Sequence, residues 1–256
     1  MPETAALDPA AWRSAAHPRL LRALAVLGGV MLVVGVTAEV LVGVDGLPAF
    51  GRALAGQFSR IFYAGDEFTA WAWYTAVLMA AVGVVLALIA AMRHRGGADG
   101  RPYAVLAAVA LALSVDETAQ FHEALSPLPR ALGAGQLPTY DWLLVGIPIA
   151  IIVGVYLLVV ARRIDARLRR GLIIGGGLFL FGAIVLEGLG GLLARSVDLT
   201  MSPGAALGYQ VLLAVEEGVE LAGVLVALAA VLAMIEVRGG GVVSLRVRGS
   251  AATVES

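Results

Sequence analysis

Apolar runs of about twenty residues, long enough to cross the hydrocarbon of a bilayer at 1.5 Å per helical residue, recur along this chain and leave few folds open to it. Of its 256 residues 60% are hydrophobic and only 14% are charged, and mean hydropathy is +0.90. No soluble core takes up that much apolar chain. Backbone amides in lipid must be satisfied within the segment, so the runs are read as helices. The expected fold is all-α: a polytopic six-helix transmembrane bundle of residues 22–235, flanked by tails at 1–21 and 236–256.

Helix 1 is expected from about Arg22 to Val44, and helix 2 from Asp66 to Met92 with Trp71, Trp73 and Tyr74 as interfacial aromatics. Helix 3 follows from Tyr103 to about Leu125, helix 4 from Trp142 to Ala161 across Pro148, helix 5 from Gly171 to Ala194 and helix 6 from Ala205 to Ile235. Between helices 1 and 2, Phe50, Leu54, Phe58 and Ile61 recur at helical spacing with Arg52 and Arg60 between them, which predicts a short amphipathic helix in the interface. Val36-Thr37-Ala38 carries the small residues of a signal-peptidase site, but the apolar run continues past it to Val42, so helix 1 is read as a span.

All eighteen basic residues are arginine. The two tails and the 2–3 and 4–5 connections hold fourteen of them, whereas the other three connections hold four, which places both termini in the cytoplasm and the protein in the plasma (inner) membrane. Without lysine there is no Schiff base, and without cysteine no disulfide, thiolate metal site or iron–sulfur cluster. The basic loops mean topology and lipid attraction. With no soluble domain or aromatic platform beside them, they do not indicate nucleic acid.

Against this background the acids stand out. Glu39 lies seventeen positions beyond Arg22, Asp116 fifteen beyond Arg101 and Glu187 seventeen beyond Arg170, while Glu220 precedes Arg238 by eighteen, with Glu217 and Glu216 one turn further out. At 1.5 Å per residue these offsets put four helices' acids about 22 to 33 Å from the arginine side, in the outer leaflet half. No arginine lies within these spans to neutralise them, so protons are shared among the acids or bound cations compensate. Ionisable groups at such depth are functional candidates by default.

On a continuous helix, Asp116, Gln120 and Glu123 share one stripe and His122 stacks on Thr118. Asp116, His122, Glu123, Glu187, Glu216 and Glu220 form the pool of ligands for a divalent metal ion. Oxygen-rich donors with a single imidazole suit Mg, Ca or Mn, and with His122 also Zn or Fe. Glu117 and Glu217 point away from their neighbours and are the candidate bases, with Glu39 and Glu67 as further candidates. Metal-assisted hydrolysis or group transfer on a lipid or extracytoplasmic small molecule is the first functional expectation. A proton- or cation-coupled transporter using the same acids is the second, and a membrane assembly subunit is the third. Asp66, Glu67 and Asp141 also stand where helices begin and suit capping.

The segment Ser114-x-Asp116-Glu117-x-x-x-x-His122-Glu123, with a later lone helix glutamate and the pair Glu216-Glu217, resembles a group of uncharacterised bacterial multi-pass membrane proteins. The likeness covers residues 60–225, implies no particular activity, and adds Glu67 to the site.

Overall fold

A computed structural model describes residues 13–66, 68–131, 133, 138–196, 203–238, 244–248 and 253–255. A two-residue strand, β1 (Arg13–Ser14), leads into α1 (Pro18–Val42), whose first turn is capped by His17 and pre-shaped by Pro18. Next come α2 (Ala49–Phe62), α3 (Ala70–Arg95) and α4 (Arg101–Ala119), with Thr69 accepting from the Ala72 amide to open α3. A short α5 (Pro127–Ala131) precedes α6 (Leu143–Ala161), which passes through Pro148 as one helix. The following rod consists of α7 (Ala166–Leu180), a π-helical stretch (Phe181–Leu186) and α8 (Glu187–Ser196). Last is α9 (Pro203–Leu232), which runs into strands β2 (Ile235–Arg238), β3 (Ser244–Val247) and β4 (Thr253–Glu255).

Among the described residues, α1, α3, α4, α6 and the rod Ala166–Arg195 are five helices long and apolar enough to cross a membrane, and the chain is a mainly helical membrane protein. The 30-residue α9 is long enough as well, but any eighteen-residue stretch of it takes in Glu216, Glu217 and Glu220. Its composition is therefore set by the site it carries.

The core forms around α3. Trp71, Leu86, Ile89 and Met92 are fully buried there, and Leu221, Leu228 and Val231 of α9 pack into the same cluster, with Met31 and Leu32 of α1 at its side. The α7–α9 seam closes on glycine: a Cβ added to Gly223 would lie 2.5 Å from the Gly175 carbonyl oxygen, so the two backbones meet where neither residue has a side chain. By contrast α6 buries only Leu143 and Ala161, and Ile151, Ile152, Val155 and Tyr156 are exposed, as expected of a lipid-facing wall.

Residues of both tails pair: β1, β2, β3 and β4 form one antiparallel sheet in that order, which joins the two ends of the chain at the arginine-rich end of the bundle. Val247 is fully buried in the core, and Arg246 and Arg248 both donate to Glu236, at 2.6 and 3.0 Å. Helix 3 was expected to reach Leu125, but α4 stops at Ala119. Helix 5 was expected from Gly171 to Ala194, but the rod begins at Ala166 and carries the π stretch. Both of the last two differences shape the candidate site.

Candidate functional site

The end of α4 is set by Gln120, whose backbone is left-handed (φ 56°) and whose amide donates to the Asp116 carbonyl at 2.9 Å. Glycine usually fills this position, so no residue type marks the stop in the sequence. The turn brings His122 back over the helix end: its amide donates to Asp116 Oδ1 at 3.0 Å, and its Nδ1 lies 2.9 Å from Oδ2. The stripe Asp116–Gln120–Glu123 and the stacking of His122 on Thr118 are therefore corrected. Asp116 instead grips His122 through both carboxylate oxygens, and the imidazole meets the Trp142 ring edge-on at 5.0 Å. Glu123 opens a 3-10 turn, Glu123–Leu125, and is exposed.

Deeper in the bundle three carboxylates are each held by a neutral donor from a different element. Thr75 Oγ1 of α3 donates to Glu117 at 2.6 Å, Trp71 Nε1 of α3 to Glu217 at 2.7 Å, and Trp142 Nε1 at the start of α6 to Glu187 at 2.9 Å. Trp71 and Thr75 sit one helical turn apart, so a single face of α3 serves two acids. Glu216 is only 8% exposed, and neither it nor Glu220 accepts a hydrogen bond among the described residues. Glu220 lies against Gly182 in the π stretch, where a Cβ would collide with the glutamate side chain. The wider π turn and the missing side chain together make room for an acid.

The carboxylates, His122, Trp71 and Trp142 border one cavity of about 730 Å³ between α3, α4, α6, the rod and α9. Each of the expected metal ligands and both candidate bases line it, so the layer of acids read from helical offsets is a shared chamber. Glu39 is elsewhere, accepting from Ser59 of α2 at 2.5 Å. Glu67 lies outside the described residues. Asp66 lines the mouth, and the cap of α3 is Thr69 rather than either acid.

Asp141, expected as a cap, is buried beside the chamber with Arg195 Nη2 3.5 Å away as an ion pair. Tyr140 Oη lies 3.4 Å from Tyr209 Oη. Burial first, and then the neighbouring Tyr209 hydroxyl, push the Tyr140 phenol well above its ordinary range, so it stays neutral at physiological pH. Sequence reasoning missed Trp142, Thr75 and the two tyrosines as site residues, and took Trp71 for an interfacial anchor. Only the one-turn spacing of Trp71 and Thr75 hinted at their role.

The described lining contains no arginine, and apart from the carboxylates and His122 it is largely carbon. The expected metal set fits this arrangement poorly. Among the described residues no group of three or more His, Asp and Glu side chains is placed to hold a metal ion. Asp116 is already spent on His122, and Glu187 on Trp142, while Glu216 and Glu220 approach from other directions. The expectation of a metal centre gains no support.

No curated protein and no solved structure matches the chain. Residues 24–235, which include every acid of the chamber and the helices that carry them, match the family described as Domain of unknown function (DUF8692), and the chain belongs to that family.

Proposed function

We propose that the chamber is a proton-linked binding site for a cationic molecule, in a protein of the coupled-transporter class. The observation that carries this reading is the absence of any lining arginine, among the described residues, around five membrane-embedded glutamates. In a medium of low dielectric such a set holds protons or a cation, and exchanging one for the other is the chemistry it suits. The donors that hold Glu117, Glu187 and Glu217 are a threonine and two indoles. They orient the carboxylates without supplying countercharge. At about 730 Å³ the cavity is in the usual range for a small-molecule ligand and is far larger than a bare ion requires.

In this reading α9 is a sixth span, α2 lies in the interface, and both termini face the cytoplasm of a cell whose plasma membrane holds the protein. The joining of β1 to β2 at the arginine-rich end supports termini on one side, and the exposed Phe50, Leu54 and Phe58 support an interfacial α2. The acids then occupy the outer leaflet half.

The test is tetramethylammonium binding to the purified protein in lipid nanodiscs, with proton release measured in weakly buffered solution. Bound cation is expected to displace protons, so affinity rises with pH, and Glu220→Gln is expected to reduce the release. Binding without release overturns the reading. One divalent metal ion per chain, lost in Asp116→Asn, would replace it with a metal centre.

A further inference from the structure

Beyond the acids the cavity continues as a carbon-lined arm. Gly146, Ile149, Ala150, Val153, Gly154 and Leu157 line it from a single face of α6, spaced alternately by three and one. Gly176, Phe179, Leu180 and Ala183 of the rod line the opposite side. The acids lie toward the other end: α9 contributes Tyr209, Leu213, Glu216, Glu217 and Glu220 and no residue beyond Glu220, which lies against Gly182. From Gly182, where Glu220 lies, to Gly176 is six residues, or about 9 Å of helix.

We infer that the ligand is an amphiphile: a cationic head among the glutamates and a single hydrocarbon chain in the arm. The inference rests on the cation-binding reading and names the class of molecule. Two independent features point the same way. Glu216, more than nine-tenths buried and without a hydrogen-bond partner among the described residues, borders the chamber and supplies an acceptor for a cationic head. Beyond Glu220 the described lining of the arm, Val153, Gly154 and Leu157 of α6 with Gly176, Phe179 and Leu180 of the rod, has no polar side chain that would reward a polar ligand. Charge at one end and about 9 Å of carbon-lined space beyond it match a membrane-dissolved cation. A water-soluble cation of the same charge would leave the arm unused.

The sites for a test are already in the wall. A Cβ added at Gly154 or at Gly176 meets nothing within 4 Å, so a larger residue at either position extends into the arm without striking backbone. The probe is dodecyltrimethylammonium carrying a diazirine at the end of its chain, applied to the protein in nanodiscs. Adducts are expected on residues 149–157 and 176–184. Gly154→Phe and Gly176→Phe, which block the arm from opposite sides, are each expected to abolish these adducts while tetramethylammonium binding survives. Adducts confined to the outward residues Ile151, Ile152 and Val155, or adducts indifferent to both substitutions, overturn the inference. If the chain probe labels the arm but tetramethylammonium does not bind and Glu220→Gln changes nothing, the cationic head is refuted and the function proposed above falls, whereas the chain-binding arm remains.

Discussion

Two glycines one residue apart in relation to the α7–α9 seam offer a direct measure of what holds the bundle together. A Cβ at Gly223 would lie 2.5 Å from Gly175 O, 2.8 Å from the Phe179 amide nitrogen and 3.2 Å from Leu178 Cβ. Two of these are backbone atoms, which cannot rotate away. Gly176 borders Gly175 on the partner helix, and a Cβ there meets nothing within 4 Å. Either change to alanine gains about 1 kcal/mol of helix propensity. At Gly223 the overpacking costs up to about 3 kcal/mol, because the helices must separate by several tenths of an ångström along the contact. Gly223→Ala is therefore expected to destabilise by about 2 kcal/mol and Gly176→Ala to stabilise by about 1, a separation of about 3 kcal/mol between two identical chemical changes. Reversible unfolding by sodium dodecyl sulfate in mixed micelles reads both shifts on one scale. Shifts of the same sign, or a Gly223→Ala variant as stable as the parent, would refute the close backbone approach and with it the placement of α9's acids against the rod.

Two further outcomes follow from single contacts. Trp142→Phe removes the indole N–H that donates to Glu187 and is expected to cost about 1 to 3 kcal/mol of thermal stability in detergent; if the cost is the same in a Glu187→Leu background, the hydrogen bond contributes nothing. At the other end of the molecule, burial pushes the Glu236 carboxyl up, but hydrogen bonds from Arg246 and Arg248 outweigh this and hold it below its ordinary value. A carboxyl depressed in the folded state contributes stability that is present above the unfolded pKa of about 4.3 and lost as pH falls through the lower folded value. Amide exchange in β2 and β3, corrected for intrinsic rates, is thus expected to speed up between pH 5 and pH 3, and Glu236→Gln is expected to show the fast rates already at pH 7. A pH-independent protection in the parent would show that the arginine clasp does not hold the sheet.

Much of the chamber was legible because membrane helices obey one conversion, from residue offset to depth. Asp116, Glu187 and Glu220 stand fifteen to eighteen residues from an arginine at 1.5 Å each, and the three line one chamber. The long spans were legible for the same reason. Direction around the helix axis was not. The stripe through Gln120 assumed an unbroken helix, and a left-handed non-glycine residue carries no mark in the sequence. The π stretch Phe181–Leu186 rotates everything after it, so Glu187 does not point where a regular helix would aim it. The tail sheet depends on pairing Arg13 with Val237 across the whole chain, which no local pattern announces.

The sequence by itself determined that this chain is mainly helical, with spans long and apolar enough to cross a membrane, because apolar length acts through the bilayer independently of how helices pack. Only the tertiary structure decided which acids are held and which are open, since that depends on Trp71, Thr75 and Trp142 arriving from other helices. It also decided that the space beside the acids is a carbon-lined arm, because a cavity belongs to the surfaces of several helices at once and to the sequence of none of them.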